Sequence, residues 1–296
     1  MNIVIFGAGA IGSLFGYFFS KENNVVLIGR KNHIDAINQN GLIIKGKTKK
    51  NVKISAFETI DEVPFIPDLL ILTVKSYDTE NAIKQTVDLI DENTFVMSLQ
   101  NGLGNVEKIQ KYVDIKRILA CITTHGVVFC KPGVIKHTGV GKTVIGSLEN
   151  KSTTVIENIA KMLNKSGVKT TTSKDVLKDI WVKAIINSSI NPITAIFRCK
   201  NGYLLENPVL EKILEKICSE STDIANADGI DVSYDNMIEK TKEVIQDTSE
   251  NHSSMLQSFK QVKRTEIDEI NGKIVEISKK YNIESPLNKI LLDLIS

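Results

Sequence analysis

Short apolar runs and segments with helical periodicity alternate along the chain up to about residue 173, and only helical periodicity remains after it. The short runs are rich in β-branched residues, as expected for strands buried on both faces of a parallel sheet. Alternating strands and helices are typical of an α/β domain. The pattern therefore predicts an α/β domain over residues 1–173, followed by an all-helical domain over residues 174–296.

The elements predicted for the first part are mostly single strands separated by single helices. Residues 126–146 are the exception, because their closely spaced glycines indicate β-hairpins with tight turns. The predicted strands cover residues 2–6, 24–28, 42–44, 52–56, 68–74, 94–99, 117–124 and 168–172, and the predicted helices cover residues 33–38, 78–90, 105–112 and 152–166.

The second part is predicted to contain helices only. The first of them includes Pro192, which lacks a backbone N–H and is expected to kink or end the helix. The predicted helices cover residues 175–197, 209–228, 234–248 and 271–281, with a short terminal helix from Leu287.

The first strand runs directly into the sequence GAGAIG, and a helical pattern follows. A strand, a G-x-G-x-x-G sequence and a helix in this order are the fingerprint of a Rossmann-type dinucleotide-binding domain. The first glycine allows a tight turn, the second lets the backbone approach a pyrophosphate, and the third lets helix and strand pack closely. Free N–H groups and the helix dipole would then bind the phosphates, whereas the alternative is a glycine turn that binds no nucleotide. The candidate cofactor-binding residues are Gly7, Ala8, Gly9, Ala10, Ile11 and Gly12.

The second strand is followed by Gly29 and Arg30, at the position that usually selects between NAD and NADP. An acidic residue here would accept hydrogen bonds from the ribose 2′-hydroxyl, but this chain has Arg30 with Lys31 beside it. A guanidinium can bind a 2′-phosphate through two parallel hydrogen bonds. The sequence therefore predicts NADPH rather than NADH, unless Arg30 is simply an exposed loop residue.

Two polar residues follow later strands of the predicted sheet. Lys75 comes directly after the apolar run that ends at Val74, and Asn101 follows the next strand. The carboxyl ends of parallel strands form the ligand-binding edge of an open α/β sheet. We therefore expect Lys75 near the nicotinamide half of the cofactor and Asn101 in the same cleft. The alternatives are an exposed lysine at a strand end and an asparagine that forms a turn before Gly102.

Composition and charge narrow the classes of function. The chain has 296 residues, of which 42% are hydrophobic and 24% charged, as expected of two globular domains. The net charge of +2 argues against a general nucleic-acid binder, and the four cysteines form no C-x-x-C motif that would indicate a metal site. We expect no membrane span, because the apolar runs are shorter than ~20 residues. No signal peptide opens the sequence, which predicts a cytoplasmic protein.

The helix that begins the second part carries three polar residues at helical spacing. Lys183, Asn187 and Asn191 lie at i, i+4 and i+8 within the apolar sequence WVKAIINSSIN. Residues four apart are neighbours on one face of an α-helix. This polar stripe either faces solvent or lines a cleft, in which Lys183 would deliver a proton and the two amides would hold a polar substrate. The position of the helix just past the domain boundary favours the cleft.

Two later segments carry further candidate residues. Asn251 and Ser254 lie in NHSSMLQ, where a serine or asparagine could also simply cap a helix. Glu266 lies in TEIDEI and is followed by Ile267 and Ile270. It is therefore expected at the margin of an apolar face rather than fully in solvent.

Taken together, these sequences resemble the ketopantoate reductase (2-dehydropantoate 2-reductase) family. The resemblance covers nearly the whole chain and rests on GAGAIG, QNG at 100–102, WVKAIINSSINPITA, NHSSMLQ and TEIDEINGKIV. It implies a two-domain enzyme with its active site in the interdomain cleft. The implied reaction is the NADPH-dependent reduction of ketopantoate to pantoate in pantothenate and coenzyme A synthesis. A homodimer is compatible with the resemblance.

The resemblance also implies individual roles. Lys183 would be the general acid that protonates the carbonyl oxygen as hydride arrives at carbon 2. Glu266 would be the second catalytic residue, which holds the hydroxyl group of the substrate and lies against the cofactor. Asn101 would bridge cofactor and substrate. The other substrate-binding residues would be Asn187, Asn191, Asn251 and Ser254, and the cofactor would be held by Gly7–Gly12, Arg30 and Lys75.

Two other interpretations stay open at this point. A related 2-keto acid or β-hydroxyacid dehydrogenase would share the two-domain plan and a helix with lysine and asparagine. A non-catalytic NADP(H)-sensing protein would share the nucleotide-binding domain, but it would be expected to lose Lys183 or Glu266, and both are present.

Overall fold

A computed structural model describes residues 1–149 and 154–296, and its contacts divide the chain into two compact units. The first unit consists of Met1–Gln100 and Asn105–Val176, and the second of Asn101–Gly104 and Leu177–Ser296. The second unit thus includes a four-residue segment that the hydrophobic pattern assigned to the first domain. The start of the predicted helix 152–166 lies partly outside the described residues.

The first unit alternates strands and helices, as predicted. Its strands are β1 (Asn2–Phe6), β2 (Asn24–Ile28), β3 (Leu42–Gly46), β4 (Lys50–Val52), β5 (Ser55–Phe57), β6 (Leu69–Leu72), β7 (Phe95–Ser98), β8 (Ile118–Thr123), β9 (Gly126–Lys131), β10 (Val134–Gly139), β11 (Thr143–Ser147) and β12 (Thr170–Thr172). Its helices are α1 (Ala10–Phe19), α2 (Lys31–Asn40), α3 (Thr79–Thr86), α4 (Asn105–Gln110) and α5 (Thr154–Lys165).

Within the described residues, eight strands form one sheet in the order β12-β11-β8-β7-β6-β1-β2-β5. All neighbours from β5 to β8 are parallel, and β11 is antiparallel to β8. In a Rossmann fold the strand order extends in both directions from a central β1, and the large sheet has this order, as predicted. The carboxyl ends of β1, β2, β6 and β7 consequently lie along one edge, which is the ligand-binding edge in such sheets.

The buried faces of the large sheet explain why its strands read as continuous apolar runs. Every residue of β6 is buried, and so are the central residues of β1. Leu14 and Phe15 of α1 belong to the same apolar core as Ile3, Ile5 and Leu27 of the sheet. A parallel strand that is buried on both faces has no side exposed to solvent, so polar residues do not alternate with apolar ones along its sequence.

Two of the strand predictions are wrong. Residues 52–56 do not form one strand, because β4 pairs with β3 in a second sheet, of order β4-β3-β10-β9, whereas β5 pairs with β2. Residues 126–146 form a single hairpin, β9–β10, and β11 instead pairs with β8 in the large sheet. Apolar residues and glycine spacing indicate strands and turns, but they do not identify the strand that accepts the hydrogen bonds.

The second unit is helical, and the described residues after Thr172 contain no strand. A π-helical turn over Asp268–Gly272 precedes α11, where the sequence predicted a helix from residue 271. The helices are α6 (Val176–Phe197), α7 (Tyr203–Glu206), α8 (Pro208–Ala227), α9 (Tyr234–Asp247), α10 (Ser254–Lys260), α11 (Lys273–Lys280) and α12 (Pro286–Ile295).

Helix α6 covers nearly all of the residues predicted for it and differs from prediction in one respect. It continues through Pro192 to Phe197, so of the two effects expected of the proline, an end of the helix does not occur. As a result it is the one helix among the described residues that is long and apolar enough to cross a membrane, contrary to the expectation that no apolar segment reaches that length. However, 61% of its most apolar window is buried inside the protein. A core helix of a soluble protein passes the same test, so this is weak evidence for a membrane span.

Candidate cofactor and substrate sites

The glycine turn begins at the carboxyl end of β1 and is held by the neighbouring strands. The backbone N–H groups of Gly7 and Ala8 donate to Ile28 O at the end of β2, at 2.9 and 2.8 Å. On the other side, Thr73 Oγ1 donates to Gly7 O at 2.7 Å. Thr73 follows β6 directly, so three adjacent strands fix the turn.

The three glycines of this turn are required for different reasons. Gly7 has φ +110°, and a Cβ on Gly7 would lie 2.7 Å from Val74 N. A Cβ on Gly12 would lie 2.4 Å from Gly7 O and 2.5 Å from Thr73 Oγ1. A Cβ on Gly9 would meet only Gly7 O at 3.8 Å, which is ordinary contact. Packing therefore explains Gly7 and Gly12, whereas Gly9 leaves open space beside the backbone.

The beginning of α1 is suited to an anion. The N-cap residue, Gly9, provides no side-chain hydrogen bond, and the first turn contains no acidic residue. The first N–H groups of a helix have no partner within it, and the helix dipole places partial positive charge there. Together with the open space at Gly9, this arrangement of Gly7, Ala8, Gly9, Ala10, Ile11 and Gly12 fits the pyrophosphate of a dinucleotide.

Arg30 lies at the same edge of the sheet, two residues beyond β2. It is exposed and is the residue before α2. The neighbouring Lys31 is engaged by acids, with Nζ at 3.6 Å from Asp35 and 3.7 Å from Glu58. No comparable ion pair involves Arg30 in the part of the chain that the structure describes. Of the two basic residues, Arg30 is thus the one whose charge is not matched by an acid.

Lys75 follows Thr73 and Val74, which pack against the glycine turn. Val74 would clash with a Cβ on Gly7, and Lys75 is next in the chain and half-buried. The side chain of Gln100 fixes this segment, because Nε2 donates to Val74 O at 3.0 Å and to Thr79 Oγ1 at 2.7 Å. The sequence reasoning missed both Thr73 and Gln100. Both are polar residues at the end of a buried strand, and this position could have identified them.

Asn101 begins the segment that belongs to the second unit. Gly102 has φ +83°, and a Cβ there would lie 2.6 Å from Glu269 O. Leu103 N donates to the same carbonyl oxygen at 2.9 Å. Gly102 is therefore required by a close backbone approach, and Asn101 is held next to the π-helical turn that contains Glu269.

The polar stripe of the second unit lies on α6, as the periodicity predicted. Lys183 and Asn187 are half-buried, and Asn191 is 6% exposed. The flanking residues Trp181 and Ile185 are part of an apolar cluster with α8, α9 and α11. The stripe thus lies at the border of the buried surface and is not a fully solvated face.

The start of α10 is attached to the end of this stripe. Ser253 Oγ and Thr194 Oγ1 are hydrogen-bonded at 2.7 Å. Ser253 also accepts from Leu256 N at 3.1 Å, so Ser253 caps α10. Ser254 is left exposed as the first residue of the helix, and the half-buried Asn251 precedes it, with its N–H bonded to Thr248 O.

Glu266 lies just before the π-helical turn and is only 6% exposed, more buried than the sequence predicted. Its backbone carbonyl accepts from Ile270 N at 3.1 Å. Ile267 and Ile270 pack with Ala195 of α6 in one cluster. Asn271 Nδ2 donates to Ser188 O of α6 at 3.2 Å. The segment that carries Glu266 is therefore attached to α6 beside the polar stripe.

The buried histidines of the first unit have lowered pKa values. In the first unit, His125 Nδ1 and His137 Nε2 are 3.0 Å apart, and burial together with the charge of His137 lowers the pKa of His125 to about 4. Burial also lowers the pKa of His137 and of His33. No group of three or more His, Cys, Asp or Glu residues among the described residues could hold a metal ion.

Comparison with known proteins places the chain in a family. The family description "Ketopantoate reductase PanE/ApbA" matches residues 3–150, and "Ketopantoate reductase PanE/ApbA C terminal" matches residues 175–296. This chain belongs to the ketopantoate reductase family. The family is one of dinucleotide-binding oxidoreductases, in agreement with the glycine turn of the first unit.

The ketopantoate reductase relatives extend over the whole chain. A protein of Pyrococcus horikoshii named 2-dehydropantoate 2-reductase is 42% identical over 296 residues, with 100% of this chain and 96% of the relative covered. A protein of Archaeoglobus fulgidus with the same name is 33% identical, with 99% of this chain and 96% of the relative covered.

Solved structures show the same fold. A PanE/ApbA family ketopantoate reductase from Ralstonia eutropha has a TM-score of 0.91 at 29% identity, with 100% of this chain and 97% of that chain covered. D-mandelate dehydrogenase with NADH and anilino(oxo)acetate has a TM-score of 0.94 at 27% identity, with the same coverage.

Proposed function

We propose that this protein reduces ketopantoate (2-dehydropantoate) to pantoate with NADPH, a step of pantothenate and coenzyme A synthesis. The observation that carries the proposal is the 42% identity, over all 296 residues, to a protein named 2-dehydropantoate 2-reductase. Similarity over both units matters, because the cofactor-binding and the substrate-binding residues lie in different parts of the chain.

The first unit binds the cofactor in this proposal. Bound NADPH supplies the hydride that is transferred to carbon 2 of the keto acid. The N–H groups of Gly7–Gly12 bind the pyrophosphate, and Lys75 and Asn101 hold the nicotinamide half. Arg30 binds the 2′-phosphate, which is supported by its exposure and by the absence of an acidic partner in the described part of the chain.

The second unit binds and protonates the keto acid. Negative charge builds on the carbonyl oxygen as hydride arrives, so a proton donor within hydrogen-bonding reach lowers the barrier. Lys183 is that donor, and Glu266 holds the substrate hydroxyl and contacts the cofactor. Asn187, Asn191, Asn251 and Ser254 bind the remaining polar groups, with the exposed Ser254 hydroxyl next to the substrate carboxylate. The attachment of the Glu266 segment and α10 to α6 supports this grouping.

A second candidate function is the reduction of another 2-keto acid. The similarity to D-mandelate dehydrogenase, with a TM-score of 0.94, favours it specifically. That structure contains NADH, so the same comparison also offers an alternative cofactor. An aryl 2-keto acid such as phenylglyoxylate would be the corresponding substrate, since its reduction gives mandelate.

The deciding experiment measures the loss of absorbance of the reduced nicotinamide with purified protein. NADPH and NADH are each paired with ketopantoate and with phenylglyoxylate, and the Lys183→Ala variant serves as the control for a contaminating reductase. We expect rapid loss only with NADPH and ketopantoate. Equal rates with NADH would contradict the role of Arg30 and leave the reaction standing. Loss with phenylglyoxylate alone would establish the second candidate.

We further propose that the protein acts in the cytoplasm on a small-molecule substrate and without nucleic acid or membrane, and that it forms a homodimer. Its near-neutral net charge of +2 supports the lack of nucleic-acid binding. Size-exclusion chromatography with light scattering measures the assembly state, and a monomeric mass at micromolar concentration would contradict the dimer.

A further inference from the structure

Pro192 creates a local problem in the buried part of α6. In an α-helix the N–H of residue 192 would donate to the carbonyl oxygen of residue 188. Proline has no N–H, so Ser188 O loses its partner within the helix. Ser188 is fully buried and Pro192 is buried too, so water is not a ready substitute. A buried carbonyl of this kind needs a donor from elsewhere.

Asn271 provides that donor. Its Nδ2 lies 3.2 Å from Ser188 O and 2.9 Å from Asn288 Oδ1, so both amide protons are used. Asn271 is 0% exposed and belongs to the π-helical turn, five residues after Glu266. The residue that repairs α6 is thus part of the segment that carries Glu266.

The orientation of this amide is fixed by its neighbours. Asn288 Nδ2 donates to the Glu220 carboxylate at 2.8 Å and to Ser221 Oγ at 3.1 Å, which leaves Asn288 Oδ1 to accept from Asn271. Ser221 Oγ is 3.1 Å from Ser188 Oγ, which closes a ring of hydrogen bonds back to α6. A closed buried ring of this kind tolerates one arrangement of the two segments.

Two features of the turn are unusual. Gly272 N donates to Ile267 O at 3.0 Å, an i→i+5 bond of the kind that occurs frequently at functional sites. Asn271 Oδ1 is buried and has no hydrogen-bond partner among the described residues. An apolar side chain of similar shape would avoid that unsatisfied acceptor. The donor function of Asn271 therefore outweighs the cost of its oxygen.

We infer that Asn271 is a positioning residue for the reaction, which holds Glu266 in register with the polar stripe of α6. Its bond to Ser188 O lies next to Asn187 and one helical turn before Pro192. Loss of the bond leaves the apolar packing of Ile267 and Ile270 with Ala195 between the turn and α6, and lets Glu266 move relative to Lys183. This inference rests on the proposed function, because it assigns to Asn271 the placement of residues that function in that proposal.

The first test is Asn271→Leu, which removes the donor and keeps a side chain that branches at Cγ. We expect kcat/KM for the keto acid to fall by roughly 10- to 100-fold, since a displacement of ~1 Å in a reacting group has effects of this size. The melting temperature should fall as well, because Ser188 O loses its partner. A folded variant with wild-type kcat/KM would overturn the inference.

The second test separates positioning from stability by combining Asn271→Leu with Pro192→Ala. Alanine restores an N–H that bonds to Ser188 O within the helix, so the melting temperature should recover towards that of Pro192→Ala alone. The kcat/KM should remain low, because the Glu266 turn still lacks its hydrogen bond to α6. Recovery of kcat/KM together with stability would show that Asn271 only repairs the helix. If Asn271→Leu alone does not fold, the comparison is made entirely in the Pro192→Ala background.

The activity of the wild-type protein makes the two possible failures distinguishable. If wild-type protein reduces neither ketopantoate nor phenylglyoxylate with either cofactor, the proposed function fails. If wild-type protein is active and the variants keep its kcat/KM, the function stands and the positioning role fails.

Discussion

The glycine turn of the first unit and the polar stripe of the second are built in opposite ways. The turn uses six consecutive residues, Gly7–Gly12, and within the described part of the chain the bonds that reach it from outside come from the ends of the adjacent strands. The stripe depends on four separate segments, because α10 and the π-helical turn attach to α6, and Asn288 of α12 fixes Asn271. A phosphate site can thus be encoded by local backbone geometry, whereas a site for a keto acid requires side chains that only packing brings together.

The largest expected effect tests the chemistry of the stripe. Lys183→Ala should lower kcat by ~10²–10⁴ if the ammonium delivers the proton. NADPH affinity, measured by fluorescence titration, should change little. Lys216→Ala, an exposed lysine of α8, is the matched control and should keep wild-type kcat. A folded Lys183→Ala protein with undiminished turnover would remove the stripe from the mechanism.

The next effect tests the cofactor choice made at the end of β2. Arg30→Ala should weaken NADPH binding by roughly 10- to 100-fold, because hydrogen bonds to charged groups contribute ~1.5–3 kcal/mol. NADH binding should be unchanged, since NADH lacks the 2′-phosphate. Lys31→Ala is the control, because Lys31 already pairs with Asp35 and Glu58. Equal losses for both cofactors would show that Arg30 does not bind the 2′-phosphate.

Two alanine substitutions within the glycine turn separate packing from ligand approach. Gly12→Ala places Cβ 2.4 Å from Gly7 O and should destabilise the protein by ~1–3 kcal/mol, as overpacking does. Gly9→Ala meets only ordinary contact, so the melting temperature should be unchanged while NADPH affinity falls roughly tenfold or more. Chemical denaturation and fluorescence titration provide the two measurements. Wild-type NADPH affinity in Gly9→Ala would contradict the pyrophosphate site.

The smallest effect concerns acid stability and should be confined mainly to the first unit. Burial and His137 lower the pKa of His125 to about 4, whereas an unfolded histidine has a pKa of about 6.5. Between these values the unfolded chain binds more protons, so stability is full above pH ~6.5 and falls as the pH drops towards 4. Melting temperatures measured from pH 7 to pH 5 should decline.

The matched variants for this pH dependence are His125→Asn and His252→Asn. His125→Asn should flatten the decline, because its amide does not titrate. His252 is half-buried in the second unit, and His252→Asn should keep most of the slope. If the His125→Asn protein declines as steeply as wild type, another group is responsible for the acid sensitivity.

The amino-acid sequence by itself determined the features that depend on neighbours along the chain. Apolar runs gave β1, β2, β6 and β7, and the period of 3.6 gave the stripe on α6, because side-chain direction follows directly from position within an element. The glycine fingerprint was readable for the same reason. The family resemblance, which rests on local motifs, is confirmed by the matches over residues 3–150 and 175–296.

Only the tertiary structure decided which segments meet. It paired β11 with β8 instead of with a hairpin partner, and it grouped Asn101–Gly104 with the second unit. It also brought the amide of Asn271 to Ser188 O, the carbonyl of α6 that Pro192 leaves without a donor. The two residues are 83 positions apart along the chain. Hydrogen-bond partners that are distant in sequence leave no periodic signal, since each group needs a donor or acceptor but does not specify which residue provides it. Packing makes that choice, and in this protein it determines how the segment of Glu266 is held on α6.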